Sequence, residues 1–371
     1  MTEAATSMLG AAKRTKKDEF YTQWADVERE MNAYLEYDPN VFRGKVVLLP
    51  CDDPEWSNFT KFFALHFRDF GLKKLISTSF APDSNPAGAY YAPTLFETDN
   101  PQFDPSKTRI NGKKFILESK DLNADGAIDI DDLQWEYLDG TGDFESDEVT
   151  SLRKEADFVI TNPPFSLFRR FISWIQAGGN KFAIVGNQNA LTYKEVFPLV
   201  KDNKIWLGKG SPRNMAHFNT PYVSSKWVEQ VGEGIVRVSG VQWFTNIDHG
   251  RRHEPLQLMS MADNIKFSKH KDVRGVGYKF YDNYDALDVP HTDAIPDDFD
   301  GHMGVPITFL NKYNPDQFEI IGSFNAGAHG DELGAVKTET ETDGRVILWN
   351  GPVVERQPRY KRIVIKRRRS L

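Results

Sequence analysis

Four segments read as strands of a buried sheet: 45–50, 72–79, 158–161 and 181–186, three of them nearly continuous apolar runs. Strands of this kind, bounded by Gly, Pro, Asn or Asp, are those covered on both faces. Helical period fills the intervals. Trp24, Val27 and Met31 share the apolar face of a predicted helix, with Thr22 placed to cap it. Ser57 and Asn58 stand ahead of a second helix, expected from Phe59 to Phe70, whose five phenylalanines lie on overlapping faces. A short helix from Ser151 leads into the third strand, and Phe168 to Ile175 forms the helix after it. Strand, tight turn, helix and strand in this order predict an α/β doubly wound sheet with parallel strands and helical crossovers.

That pattern is interrupted and then lost. Residues 82–134 form an insertion rich in Pro, Gly, Asn and Asp, with short strands suggested at Tyr90-Tyr91 and at Lys114 to Glu118. Residues 135–138 alternate, and 140–144 turn. Beyond about residue 200 tryptophans recur, strands are short, and helical period fades. The expected division is a flexible basic arm at 1–15, a doubly wound domain at 16–200 carrying the insertion, and a remainder at 201–371. That remainder would combine the end of the sheet with a further part and a basic tail.

The third strand stops at Asn162-Pro163-Pro164-Phe165. Neither proline offers an N–H to a sheet ladder, and the residue before each is pushed to extended backbone. Asn162 and Pro163 are therefore expected on a stiff platform beyond the carboxyl edge of a strand, where open α/β sheets hold their ligands. The Asn162 side-chain oxygen and the Pro163 carbonyl are acceptors that can take both hydrogens of one exocyclic amino group. Phe165 offers a flat face for a planar ring. The plainer reading is a strand-ending turn with a buried phenylalanine.

The tetrapeptide resembles the catalytic motif of amino-methyltransferases that use S-adenosylmethionine. The wider chain resembles the EcoRI methylase family of adenine-N6 DNA methyltransferases, on KKDEFYTQ at 16–23, CDDPEWSNFTKFF at 51–63, GDF at 142–144, ITNPPF at 160–165 and GHMGVPITFLNKY at 301–313. The resemblance implies a Rossmann-like class I methyltransferase fold with an appended target-recognition region. It implies methyl transfer from S-adenosylmethionine to an adenine flipped out of duplex DNA, with Asn162, Pro163, Pro164 and Phe165 as the catalytic set. Phe20, Tyr21 and Thr22 would look onto the methionine end of the cofactor, Cys51, Asp52 and Asp53 would lie at the helix amino end that receives it, and Asp143 would meet its adenine amino group beside Phe144. Asp52 or Asp53 would pair with the α-amino group, unless they only form an Asx-turn. There is no Gly-x-Gly at the cofactor turn and no acid after the second strand to hold a ribose, so the ribose contact is unassigned.

Charge modifies this picture without reversing it. The net charge is −7, but 121–148 hold eleven acids and no Lys or Arg, whereas 356–371 hold eight basic residues and no acid. Local field, rather than the sum, steers a polyanion. Lys209, Arg213, Asn214 and His217 on one polar loop, Arg251 and Arg252 in a basic turn, and Lys366, Arg367, Arg368 and Arg369 in the tail are the expected contacts to double-stranded DNA. Asp121-x-Asn123-x-Asp125-Gly126 with Asp132 has the spacing of a calcium loop but closes on Asp and lacks flanking helices. His249 and His253 lack a third ligand, so no metal is expected. One cysteine, Cys51, excludes an internal disulfide. A polar start and the absence of an 18-residue apolar run leave the cytoplasm as the expected location, with no membrane partner. A monomer is expected, with a cognate restriction endonuclease sharing the target site without stable binding. Two rivals stand beside this reading: an RNA or protein amino-methyltransferase, and a catalytically inactive methyltransferase-like DNA-binding protein.

Overall fold

The structure, a computed structural model, describes residues 21–53, 57–82, 95–122, 126–210, 217–219, 229–232, 235–342 and 345–368. The expected arm at 1–15, Phe20, Tyr90-Tyr91, Arg213, Asn214 and Arg369 lie outside the described residues. The chain divides into two compact units, 1–196 with 205–249 and 197–204 with 250–371.

The first unit runs β1 (Tyr21–Thr22), α1 (Trp24–Tyr37), β2 (Val46–Leu49), α2 (Asn58–Leu65), β3 (Lys74–Ser79), β4 (Lys113–Glu118), β5 (Gln134–Tyr137), α3 (Asp147–Glu155), β6 (Phe158–Thr161), α4 (Phe168–Gly178) and β7 (Lys181–Asn187). It continues with β8 (Trp206–Leu207), β9 (His217–Asn219), β10 (Glu229–Gly232), β11 (Ile235–Arg237) and β12 (Val241–Thr245). Eight of these strands form a mixed sheet in the order β5-β4-β3-β2-β6-β7-β12-β8. The inner four, β3, β2, β6 and β7, are parallel, and both sides of the sheet end in antiparallel strands. The buried runs read from the sequence are these inner strands. β2 and β6 are buried at every position, as strands covered on both faces should be.

Aromatic residues fill the space around this sheet. Phe42 meets Phe63 and Phe158 edge-on, at 5.5 and 5.2 Å between ring centroids, and Phe59 meets Trp243 at 5.7 Å. Each such side chain, fully buried, contributes about 1.5–3 kcal/mol of transfer free energy.

Three local expectations change. α2 ends at Leu65, and residues 66–71 make tight turns with Gly71 at φ 62°, so Phe67 and Phe70 reach the core from turns and the chain reverses quickly into β3. The helix before β6 starts at Asp147 instead of Ser151. Ser146 caps it by accepting the Val149 N–H at 3.2 Å, and Asp147 and Glu148 face the positive helix end. Thr22 does not cap α1. It is paired in β1, and the capping position falls to Gln23, which makes no side-chain cap bond.

In the second unit β13 (Lys279–Phe280), β14 (Leu287–Asp288), β15 (Met303–Pro306), β16 (Phe318–Phe324), the hairpin β17–β18 (Thr338–Thr342, Arg345–Trp349), β19 (Val353–Val354), β20 (Gln357–Pro358) and β21 (Arg362–Arg367) follow one another. Five of them form a sheet in the order β13-β14-β15-β21-β16. The expected basic tail is therefore β21, an inner strand between β15 and β16. Ile363, Val364 and Ile365 are buried in the core, which is what holds the flanking basic residues Arg362, Lys366 and Arg367 in a ladder. No described helix is long and apolar enough to cross a membrane.

Candidate active site

From β2 the chain passes through α2 to β3 on one side, and from β6 through α4 to β7 on the other. The order therefore reverses between β2 and β6, paired in parallel through Val47–Phe158 and Leu48–Val159. The crevice outside the carboxyl ends at such a reversal is where open sheets bind ligands. Asp52 follows β2 there, and Asn162 follows β6.

β6 ends at Thr161, and Pro164 (φ −52°, ψ 128°) passes the chain into a tight turn over Phe165–Leu167 that opens α4. Asn162 and Pro164 are half-buried and Pro163 is buried. Phe165 is 4% exposed and belongs to the main hydrophobic cluster, so its ring anchors the platform from below. A stacking face for an incoming ring is not open at Phe165 in this state.

Asp52 is held on every side. Its Oδ1 accepts from Ser57 Oγ at 2.6 Å and its Oδ2 from Thr161 Oγ1 at 2.5 Å. Its N–H donates to Thr78 O at 2.9 Å, and its carbonyl accepts from Thr60 Oγ1 at 2.9 Å and from Ser77 Oγ. Burial pushes the carboxyl up to about 7; the two hydroxyl bonds act the other way, and Asp53 adds to the rise. Cys51 and Asp53, beside it, are half-buried. Of the neighbouring acids, Asp53 is the more open to a ligand, and Asp52 is occupied by the protein's own hydroxyls.

β1 lies against this turn. Asn58 Nδ2 donates to Thr22 O at 2.9 Å, tying β1 to the amino end of α2. β1 also pairs with β9, Tyr21 with Asn219 and Thr22 with Phe218, in a sheet of order β1-β9-β11-β10. The fold thus brings the Tyr21-Thr22 pair beside the strand that carries His217. Thr22 is 2% exposed, and its Oγ1 has no hydrogen-bond partner.

On the β3 side two glycines set the position of Asp143. A Cβ on Gly142, whose φ is 82°, would lie 2.4 Å from Ser79 O, and one on Gly112 would lie 2.7 Å from the same oxygen. Only Gly permits this approach, and Ala81 N bonding Thr141 O at 2.7 Å completes it. Asp143 is thereby set, half-buried, beside the carboxyl end of β3, with its Oδ1 accepting the Glu145 N–H at 2.9 Å. Phe144 turns away. It is 5% exposed and packs edge-on against Phe171 and Trp174 of α4 at 4.9 and 5.5 Å, so it is a core residue, in place of the ring contact expected of it.

The basic candidates differ among themselves. Lys209 Nζ bonds Glu36 at 2.8 Å, and its N–H, with that of Gly210, bonds the buried Glu30 carboxylate at 3.2 and 2.8 Å. His217 is exposed and Arg251 half-buried. Arg252 points inward, 8% exposed with its guanidinium on Asn203 Oδ1, and is engaged in holding its own unit together. Lys366 and Arg368 are exposed at the end of β21, and Arg368 Nε also donates to Phe318 O at 3.3 Å.

The acidic loop uses its carboxylates locally. Asp121 accepts the Gly126 N–H, and Asp132 accepts those of Leu122 and Asp129. His249 Nε2 lies 3.0 Å from Leu207 O. Elsewhere His270, Asp272 and His291 cluster, but the two rings stack at 3.6 Å with 7° between planes. Ring lone pairs lie in the ring planes, so nearly parallel stacked rings do not converge on one ion. Each imidazole is bonded instead to a carboxylate, His270 to Asp293 and His291 to Asp272.

Local sequence could not show the Asp52–Thr161 bond, the Glu30 contact or the Gly112–Gly142 approach. Each joins residues that only the topology brings together.

The family model described as adenine-specific methyltransferase EcoRI matches residues 8–368. The chain is 38% identical over 335 residues to the type II methyltransferase M.EcoRI of Escherichia coli, covering 89% of this chain and 93% of that protein. It is 34% identical over 369 residues to the type II methyltransferase M.MpnI of Mycoplasma pneumoniae, covering 97% of this chain and 98% of that protein. No solved structure matches the chain significantly.

Proposed function

The chain belongs to the family of the adenine-specific methyltransferase EcoRI, and on that footing we propose how its site works. The protein is an adenine-specific DNA methyltransferase, and its methyl donor is S-adenosylmethionine. The eight-stranded mixed sheet serves as a class I methyltransferase core, and the methyl group goes to the N6 amino group of an adenine in duplex DNA. The observation that carries this reading is the Asn162-Pro163-Pro164 platform, set at the carboxyl edge of β6 where the strand order reverses.

The crevice fits the cofactor. Thr22 Oγ1 is a buried hydroxyl without a partner, beside the amino end of α2. An unmet polar group of this kind is costly unless a ligand meets it. Cys51 and Asp53 stand half-buried after β2, and Asp143 stands half-buried beside the carboxyl end of β3. Tyr21, Thr22, Cys51 and Asp53 would hold the amino-acid end, and Asp143 the adenine amino group. When bound, S-adenosylmethionine supplies a methyl group on a positively charged sulfur.

The chain's own work is to hold the amino group. Asn162 Oδ1 and the Pro163 carbonyl accept its two hydrogens and aim its lone pair out of the platform. As the nitrogen gains positive charge, both dipoles stabilise it without reorganising. In duplex DNA the amino group is paired and stacked, so the adenine is flipped into this pocket. Lys209, His217, Arg251, Lys366 and Arg368 supply phosphate and groove contacts, and Phe165 stacks on the base only if entry of the base uncovers its ring. The protein acts as a monomer and serves as the protecting half of a restriction system.

Expression in a host free of adenine methylation, followed by modification-sensitive sequencing of its DNA, tests activity, base and site together. N6-methyladenine at one recurring sequence is expected. Unmodified DNA, with methyl transfer instead to RNA or to a protein glutamine, overturns the reading.

A further inference from the structure

One carboxyl links the amino end of α2 to Thr161, the last residue of the strand that leads into Asn162. Each oxygen of Asp52 takes one hydroxyl, Oδ1 from Ser57 at 2.6 Å and Oδ2 from Thr161 at 2.5 Å. Ser57 Oγ simultaneously accepts the Phe59 N–H at 3.1 Å, capping α2. The Asp52 main chain is fixed by Thr78, Thr60 and Ser77, so the carboxyl has little freedom to follow a moving partner. Asp52 is 4% exposed and Thr161 is wholly buried.

A carboxyl out of water is an expensive way to close a turn, because desolvation costs several kcal/mol unless its bonds are very good. Here both bonds are short, and the one to Thr161 joins the ends of neighbouring strands between residues 109 positions apart. Thr161 is also the residue whose peptide carbonyl precedes the Asn162 nitrogen. Fixing its side chain therefore fixes the end of β6 from which the platform departs, beyond what its pairing with Ile184 achieves.

We propose that Asp52 is a positioning residue for methyl transfer: through Thr161 it sets the direction in which Asn162 and Pro163 present their carbonyl oxygens. The inference rests on the reading of Asn162 as an acceptor of the adenine amino group. Its chemical content is alignment. A platform set at a slightly wrong angle still binds cofactor and DNA, but it holds the amino lone pair off the line of attack.

The test uses the full chain with Thr161→Val, Thr161→Ser, Asp52→Asn and the double variant Asp52→Asn/Thr161→Val. Single-turnover transfer of labelled methyl groups to unmethylated bacterial DNA is followed at saturating S-adenosylmethionine, with calorimetric affinities for the cofactor alongside. Thr161→Val is expected to slow transfer about tenfold, roughly the loss of one aligned hydrogen bond, with cofactor affinity within about twofold. Thr161→Ser, which keeps the hydroxyl and makes the smallest change to folding, restores the rate to within about threefold of wild type. The double variant is no slower than the slower single one, since both changes act on the same contact. A wild-type rate in Thr161→Val, failure of Thr161→Ser to restore it, or effects of Asp52→Asn and Thr161→Val that multiply overturns the proposal. Asn162→Ala run in parallel separates the two readings. If it is slow while Thr161→Val is not, only this inference falls; if it transfers at the wild-type rate, both fall.

Discussion

Thr161 Oγ1 lies 2.5 Å from Asp52 Oδ2, joining the carboxyl end of one parallel strand to the loop that follows its neighbour. The contact sits where the strand order reverses, between the two residues that lead into the proposed cofactor turn and the proposed catalytic platform.

In the proposed mechanism Asn162→Ala removes one fixed acceptor from the reacting amino group. The single-turnover methylation rate should fall by at least about 100-fold, on the order of the loss of one preorganised polar contact. Affinity for S-adenosylmethionine should change little. Rapid quench of labelled methyl transfer measures the first and calorimetry the second; a wild-type rate would refute the assigned role.

Burial lifts the Asp52 carboxyl from its ordinary 3.8 to about 7, against the lowering bonds from Ser57 and Thr161. Between those values the folded chain keeps a proton that the unfolded chain has released. The contribution of this group to stability therefore declines as pH rises from about 4 to about 7 and is constant above. Asp52→Asn does not titrate. Its stability relative to wild type should rise through that window and level off beyond it, as read by urea unfolding at half-unit pH steps. A difference that stays flat across the window would sink the assignment.

Glu30 is fully buried and accepts from Tyr34 Oη at 2.6 Å as well as from the Lys209 and Gly210 N–H groups. Glu30→Gln turns one acceptor into a donor facing donors, which should cost about 1–3 kcal/mol of stability. Because 209–210 lead into the loop that carries the expected base contacts, affinity for duplex DNA should fall while cofactor affinity holds. Fluorescence anisotropy and calorimetry on the same preparation check this; equal losses of both would contradict it.

Removing Lys366 to Arg369 should lower the melting temperature, because Lys366 and Arg367 stand in β21 opposite Glu319 and Phe318. Lys366→Gln is the cleaner probe, since its side chain is exposed. If Lys366 meets a phosphate, this change should weaken binding to all duplexes alike and reduce the salt slope by about one. An unchanged slope would show that it makes no phosphate contact.

Phe165→Ala should destabilise the fold by about 3–5 kcal/mol, the usual cost of emptying an aromatic site in a core. With 2-aminopurine at the target adenine, wild-type and variant lifetimes then tell whether the ring also touches the flipped base. Equal lifetimes in the bound complexes would confine Phe165 to anchoring.

Much of this was legible along the chain. Val46–Leu49, Phe158–Thr161 and Lys181–Asn187 stand out because strands buried on both faces leave uninterrupted apolar runs. Asn162 to Phe165 stands out because two prolines dictate their own backbone. Phe144 and Arg252 pack inward for a reason the sequence hides: an aromatic ring or a guanidinium in a loop looks the same in sequence whether it faces a ligand or its own core. The basic tail carries a hidden strand because charge count passes over the short apolar run Ile363, Val364 and Ile365 that is buried between its basic positions. The Asp52 bonds had no sequence signature, since Ser57 and Thr161 each have an ordinary local explanation as a cap and a strand end.

The pairing of β1 with β9 has a thermodynamic consequence. Thr22 and Phe218 are register partners, so ordering either strand lowers the entropy still to be lost by the other. A cofactor that settles on Tyr21 and Thr22 should tighten the hold on DNA at His217, and DNA should tighten the hold on cofactor by the same factor, because linkage between two binding equilibria runs equally in both directions. With both ligands seated there, two residues of strand would make a ternary complex more stable than its two binary halves suggest.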